Sequence, residues 1–369
     1  MKQTGLSFFE KYLSIWVLLA IIVGTLTGYN IPSVSTFLNK FCYAQVSVPI
    51  AVCLFFMMFP IMVKIDFSRV KAVARTPRPV ALTLIINWLI KPFTMYAITY
   101  FFLGYLFKDL IIGTEIINGE SVAIYRSYIS GAILLGIAPC TAMVLLWSYL
   151  SDGNDALTLV MVAVNSLLML FLYAPLGGLL LSINKMPIPW KTILLSVLIY
   201  VGLPLISGYY TRKYILIKKG VVYFNTVFLH RLTPLAIFAL LMTLIVLFIL
   251  KGEVIVKRPF DIGLIAVPLI IQTVVIFILG YFTGRFIRLR YEDAAPAAMI
   301  GASNHFEVAI ATSVMLFGLN SGAAMATVVG VLIEVPLMLM LVRFCLKTKG
   351  WFKPREESNI GKHTPTISA

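Results

Sequence analysis

Roughly ten stretches of about 20 apolar residues run along this chain, and no other feature limits its fold so strongly. A helix of that length crosses the hydrocarbon core of a bilayer. At that depth every backbone N–H and C=O needs an internal partner, which leaves helices and closed barrels as the spanning solutions. The stretches fall at 13–29, 46–63, 80–105, 128–150, 155–181, 191–211, 225–250, 262–284, 294–317 and 323–346. Of the 369 residues, 60% are hydrophobic and only 12% are charged, about half the charged share of a soluble domain. The expected fold class is therefore all-α and integral to the membrane, with ten transmembrane helices.

The net charge of +15 would suggest nucleic acid in a soluble protein. In a membrane protein the preference of Lys and Arg for the cytoplasmic side explains it more simply, and no nucleic-acid partner is expected. With the N-terminus placed in the cytoplasm, most of the 30 Lys and Arg residues fall inside. They include the run from Lys64 to Arg78, Arg212 to Lys219, Arg285 to Arg290, and the tail. Both termini are thus expected in the cytoplasm. The first apolar run, Leu13 to Tyr29, lacks a small-x-small cleavage site and reads as a true span. The tail, 347–369, is polar and expected to be disordered. The four cysteines, Cys42, Cys53, Cys140 and Cys345, show neither zinc spacing nor a disulfide framework, and no cofactor is implied.

The two halves of the chain echo each other. Gly153, Thr158, Val160 and Asn165 align at one offset with Gly322, Thr327, Val329 and Glu334, while Gly136-Ile-Ala-Pro-Cys140 parallels Gly301-Ala-Ser-Asn-His305. Gly28-Tyr29 parallels Gly208-Tyr209. A five-plus-five repeat, 1–184 and 185–346, follows. Five is odd, so the halves have opposite topology. Inverted repeats with interrupted helices are a common plan of secondary transporters, with the site where the repeats meet. Helices four and nine are the expected discontinuous ones.

Two interruptions carry the chemistry. Pro139 has no amide hydrogen and clashes with the preceding turn, so the fourth helix should kink or break at Ala138-Pro139-Cys140. The thiol of Cys140 is a soft ligand suited to thiophilic species, although a small buried hydrophobe is an equally open reading. In the ninth helix, Ser303-Asn304-His305-Phe306-Glu307 sets several polar groups in an apolar run. A charge at the bilayer centre costs about 2.5–3.5 kcal/mol on insertion scales and usually marks function, so Glu307 reads as a proton carrier. Glu334, two residues before Pro336, is a second buried acid of the same kind. Its repeat partner Asn165 cannot titrate. His305 titrates near neutral pH in ordinary surroundings, or serves as a hydrogen-bonding core residue. Lys91 shares a helix face with Asn87 and either neutralises one of the acids or snorkels to an interface. Trp147, seven residues after Cys140, walls a cavity or simply packs. No phosphate-binding loop, His-Glu-x-x-His or Gly-x-Ser-x-Gly motif is present, so an enzyme is not expected.

At this point a family resemblance emerges. Gly136-Ile-Ala-Pro-Cys-Thr-Ala-Met143, Trp147-Ser-Tyr-Leu-Ser-Asp-Gly153 and Ala156-Leu-Thr-Leu159 closely resemble the signature of the arsenite efflux permeases. These are arsenical-resistance permeases of the yeast and bacterial type, within the bile acid/arsenite/riboflavin transporter superfamily. Ile300-Gly-Ala-Ser-Asn-His-Phe-Glu-Val-Ala309, Leu316-Phe-Gly-Leu319 and Thr327-Val-Val-Gly-Val-Leu-Ile-Glu-Val-Pro336 carry the resemblance through the second half. It implies ten helices with cytoplasmic termini in the cell membrane, and export of trivalent arsenic, with antimonite as a second candidate, driven by protons. It implies an essential Cys140, essential acids Glu307 and Glu334, and activity-linked positions Trp147, Asn165 and Phe306. Asn304 is placed with the substrate-binding group. His305 stands at a position that varies among relatives. A sodium-coupled organic-anion symporter of the same superfamily and a passive metalloid channel are the rival readings. The paired Asn-Pro-Ala half-helix motifs of aquaporin-like channels are missing.

Overall fold

The computed structural model describes residues 12–43, 46–65, 77–141, 143–187 and 190–352. Most of the basic run after Lys64, and the tail from residue 353 onward, lie outside the described residues.

Helices make up most of the described residues. They are α1 (Leu13–Asn30), the short α2 (Pro32–Asn39) and α3 (Val48–Lys64). Next come α4 (Pro77–Leu106), α5 (Ile124–Gly136), α6 (Met143–Leu150) and α7 (Asp155–Ile183). The second half holds α8 (190–219), α9 (221–257) and α10 (Pro259–Phe286). It ends with α11 (Tyr291–Ala302), α12 (Phe306–Phe317) and α13 (Gly322–Lys347). Gly220, with φ of 78°, makes the turn between α8 and α9, a conformation that glycine adopts without a Cβ penalty.

By length and hydropathy alone, five helical runs among the described residues are able to cross a bilayer. The bent pair α1 and α2, at 101°, would make a sixth. The expectation of an all-α chain needs one correction, because two small antiparallel hairpins join the helices. They are β1 (Cys42–Tyr43) with β2 (Val46–Ser47), and β3 (Thr114–Ile117) with β4 (Glu120–Ala123). The second turns on Asn118 and Gly119, both at positive φ, the Asn-Gly signal of a tight hairpin. Glu115 on β3 accepts from the Gly322 amide at 3.0 Å and so caps the N-terminus of α13.

The helices pack in two groups. In one, α9 lies along α1 and α3, and α8 packs on α3. In the other, α13 packs on α5 and α12, and α10 on α11, with α4, α6 and α7 around them. Each group takes helices from both halves of the chain. Lipid is as apolar as Leu, so close backbone approach through small residues holds such helices together. Gly24 and Gly28 do this in α1: a Cβ on Gly28 would lie 2.1 Å from the Ile249 carbonyl oxygen. Gly131 does the same for α5, where a Cβ would lie 2.2 Å from the Ala323 oxygen. The second group encloses the interior, and every residue of α12 is buried.

Candidate functional site

The two interruptions meet. The chain leaves helical form between α5 and α6 and again between α11 and α12, and the two breaks cross, pairing Pro139 with Asn304 in an antiparallel bridge. The His305 amide donates to the Ala138 carbonyl at 2.9 Å. Non-helical backbone deep in a membrane persists only when protein groups satisfy it, and here each break supplies partners for the other. Two helix N-termini, those of α6 and α12, begin at the crossing and turn their positive dipole ends toward it.

Side chains complete the satisfaction. The Lys91 ammonium donates to the Ser303 carbonyl at 2.6 Å. Glu334 Oε1 accepts from the Ser303 hydroxyl and, at 3.1 Å, from the Asn304 amide. Cys140 lies close to Ser303 of the second break and to Val144 in the first turn of α6. His305 Nδ1 and Glu307 Oε2 are 2.8 Å apart. His305 Nε2 lies 3.2 Å from the thioether sulfur of Met58 on α3, which the Thr141 hydroxyl also faces at 3.9 Å. Lys91, Glu334 and Cys140 interact electrostatically, as do Glu334 and Glu307.

The crossing thus gathers Cys140, Asn304, His305, Glu307, Glu334 and Lys91, six of the positions singled out in the sequence. Lys91 is fully buried and donates to the Ser303 carbonyl, so the snorkelling reading is corrected: with its charge satisfied inside the protein, it has no need to reach an interface. Phe306 is buried in the first turn of α12, and Trp147 is buried in α6 with its indole N–H unpartnered. Asn165 has another occupation. Its oxygen accepts from Asn87 at 3.2 Å and from Trp88 at 3.0 Å, and its amide donates to the Met161 carbonyl. It ties α7 to α4. Asn87 and Trp88, neighbours in sequence, both reach Asn165 because residues 85–90 form a wide helical turn. Pro92 lacks the amide hydrogen that would close a regular turn onto residue 88. The crossing also takes in Met58 and Thr141, which nothing in the sequence marked, and Ser303, which stood in the polar run of the ninth helix without a role of its own.

The site is closed: Cys140 is 3% exposed, Glu307 2% and Glu334 4%. Yet it holds polar atoms without protein partners, namely Asn304 Oδ1, Glu307 Oε1 and Glu334 Oε2. Buried polar groups ordinarily find partners, so these atoms remain able to accept further hydrogen bonds. Among the described residues no three His, Cys, Asp or Glu side chains converge to hold a metal ion. Cys140 is a single soft donor rather than part of a cage.

A Synechocystis protein described as an uncharacterized transporter is 63% identical over 95% of this chain and 91% of its own length. An arsenical-resistance protein Acr3 of Alkaliphilus metalliredigens is 47% identical over 94% of this chain and 95% of its own. An arsenical-resistance protein Acr3 of Corynebacterium glutamicum is 32% identical over 96% and 92%. Residues 51–258 match the sodium bile acid symporter family. On the sequence match and the near full-length relatives together, the chain belongs to the sodium bile acid symporter family of membrane transporters.

Proposed function

We propose that the protein exports trivalent arsenic from the cytoplasm in exchange for protons and so confers arsenic resistance, with antimonite as a second candidate substrate. The observation that carries the reading is Cys140, the one soft thiol held at the crossing of two broken helices, beside unpartnered oxygen acceptors. Two near full-length relatives named arsenical-resistance proteins support it.

Trivalent arsenic at neutral pH is mainly a small neutral hydroxide. Three thiolates would hold it too tightly for turnover. One thiol permits reversible capture, either by a hydrogen bond to a hydroxyl or by exchange in which the S–H and an As–OH give an As–S bond and water. Asn304, Glu307 and Glu334 present oxygens to the remaining hydroxyls, while Phe306 and Trp147 wall the site. Glu307 and Glu334 are the proton-coupling acids, His305 assists Glu307, and Lys91 balances Glu334. A neutral substrate leaving against one entering proton moves net positive charge inward, which gains about 2.3 kcal/mol per 100 mV. The reading places the protein in the cell membrane, with ten crossings, both termini cytoplasmic, and inverted halves 1–184 and 185–346 that each contribute one break.

Everted membrane vesicles test it. Arsenite uptake that a protonophore abolishes and that is indifferent to sodium supports the proposal. Uptake that requires sodium, or organic-anion uptake in its place, favours a sodium-coupled symporter instead.

A further inference from the structure

The contact between His305 and Met58 lies between the two groups of helices. Met58 belongs to α3, while His305 stands in the break between α11 and α12. A thioether sulfur only accepts hydrogen bonds, and a neutral imidazole offers one donor and one acceptor nitrogen. With Nε2 3.2 Å from the sulfur, a bare lone pair on Nε2 would face a sulfur lone pair, which is repulsive. Nε2 therefore carries hydrogen. On the other side, Nδ1 lies 2.8 Å from Glu307 Oε2, so a proton must sit between them, on the carboxyl or on the ring. Either way the pair holds one proton more than a carboxylate beside a neutral imidazole. The unpartnered Glu307 Oε1 agrees: at 2% exposure, a neutral carboxyl leaves that oxygen bare at far lower cost than a carboxylate does.

We propose that Met58 is the positioning residue that ties the proton on the His305–Glu307 pair to the packing of α3 against the crossing. With α3 seated, the sulfur accepts from Nε2–H and the pair keeps its proton. When α3 withdraws, water solvates Nε2. The proton then leaves, Nδ1–H donates to the carboxylate, and the bare Nε2 no longer suits the sulfur. By reciprocity, loss of the proton disfavours the seated position of α3 to the same degree. The other ionisable groups facing Glu307 are Glu334 from α13 and Cys140 from the first break, while Lys91 of α4 faces Glu334 and Cys140. From α3 the group in contact is Met58 alone among the described hydrogen-bond partners of His305.

This inference rests on the reading of Glu307 as a proton carrier, and two readouts separate their fates. The first is the ¹⁵N spectrum of histidine in the lipid-reconstituted protein, which has three His residues, with His305→Asn assigning the signal. At neutral pH, His305 in the unaltered protein should show a protonated Nε2. Met58→Leu, close to it in volume, should move the hydrogen to Nδ1, and Met58→Gln, which restores an acceptor, should return it to Nε2. The second readout is the pH dependence of arsenite uptake in everted vesicles. Met58→Leu should shift the proton concentration at half-maximal rate about three- to tenfold, the size of one net hydrogen bond, and Met58→Gln should shift it less. An unchanged His305 spectrum in Met58→Leu overturns the proposal. A changed spectrum with uptake indifferent to pH in the unaltered protein overturns the proton-carrier reading and the coupling role with it, leaving only the contact.

Discussion

Lys91→Met removes the cation that holds the second break closed. Lys91 is fully buried, donates to the Ser303 carbonyl at 2.6 Å and interacts with Glu334. Methionine keeps most of the aliphatic stem, so packing changes little, but it leaves a carbonyl freed from helical bonding without its donor. A hydrogen bond from a charged group contributes about 1.5–3 kcal/mol, and an orphaned buried acceptor costs a similar amount. Glu334, held by the hydroxyl of the same Ser303, also loses a nearby positive charge that stands beyond ion-pair distance. About 1.5–3 kcal/mol is therefore expected for the single variant. Glu334→Gln removes the charge that Lys91 balances while keeping an acceptor for Ser303 and Asn304. The double variant should therefore cost less than the sum of the singles by about 1–3 kcal/mol. Denaturation of the detergent-purified protein, read for all four members of the cycle, measures this. Additive costs would refute the argument that Lys91 and Glu334 act on one another across the break.

Other substitutions probe separate parts of the account. Glu307→Gln should leave arsenite binding partly intact yet abolish uptake driven by a pH gradient in vesicles, whereas unchanged pH dependence would assign the proton to another group. Gly28→Leu places side-chain atoms where even a Cβ lies 2.1 Å from the Ile249 oxygen, and overpacking of this kind costs at least about 1–3 kcal/mol, visible as lower yield and earlier melting. Lys251, buried on α9, donates to the Leu319 carbonyl between α12 and α13 and so joins the two helix groups. Lys251→Met should accelerate hydrogen exchange at residues 318–322, and an unchanged exchange rate would argue against that link.

The helices were legible in the sequence because a bilayer demands long apolar runs, and that demand is local. The breaks were only half legible. Pro139 does interrupt its helix, but Pro60, Pro175, Pro234, Pro268, Pro296 and Pro336 all sit inside continuous helices. Proline disfavours a turn, and tertiary partners for the freed groups decide whether the turn opens. The second break has no proline at all. It is held by Glu334, Lys91 and the Ala138 carbonyl, partners far away in sequence that no local pattern identifies. Cys140, Glu307 and Glu334 were found because soft or charged groups are conspicuous in an apolar chain. Met58 was not, since within Phe55-Phe56-Met57-Met58-Phe59 a methionine looks like any other core residue. Asn165 was tied to activity by the family resemblance alone, and its hydrogen-bonding atoms are engaged by Asn87, Trp88 and Met161, partners that its own stretch of sequence does not reveal. The hairpin at 114–123 carries a clear Asn-Gly signal, set in a polar stretch between two apolar runs.

The central claim is that substrate is captured at the crossing of the two broken helices by a single thiol. Its most direct test is the arsenite resistance of a sensitive host expressing Cys140→Ser at the same membrane level as the unaltered protein. Serine keeps a hydrogen-bonding group of similar size in the break before α6, so the fold should persist while soft capture is lost. The account predicts growth no better than that of the host alone. Full resistance from Cys140→Ser would contradict it.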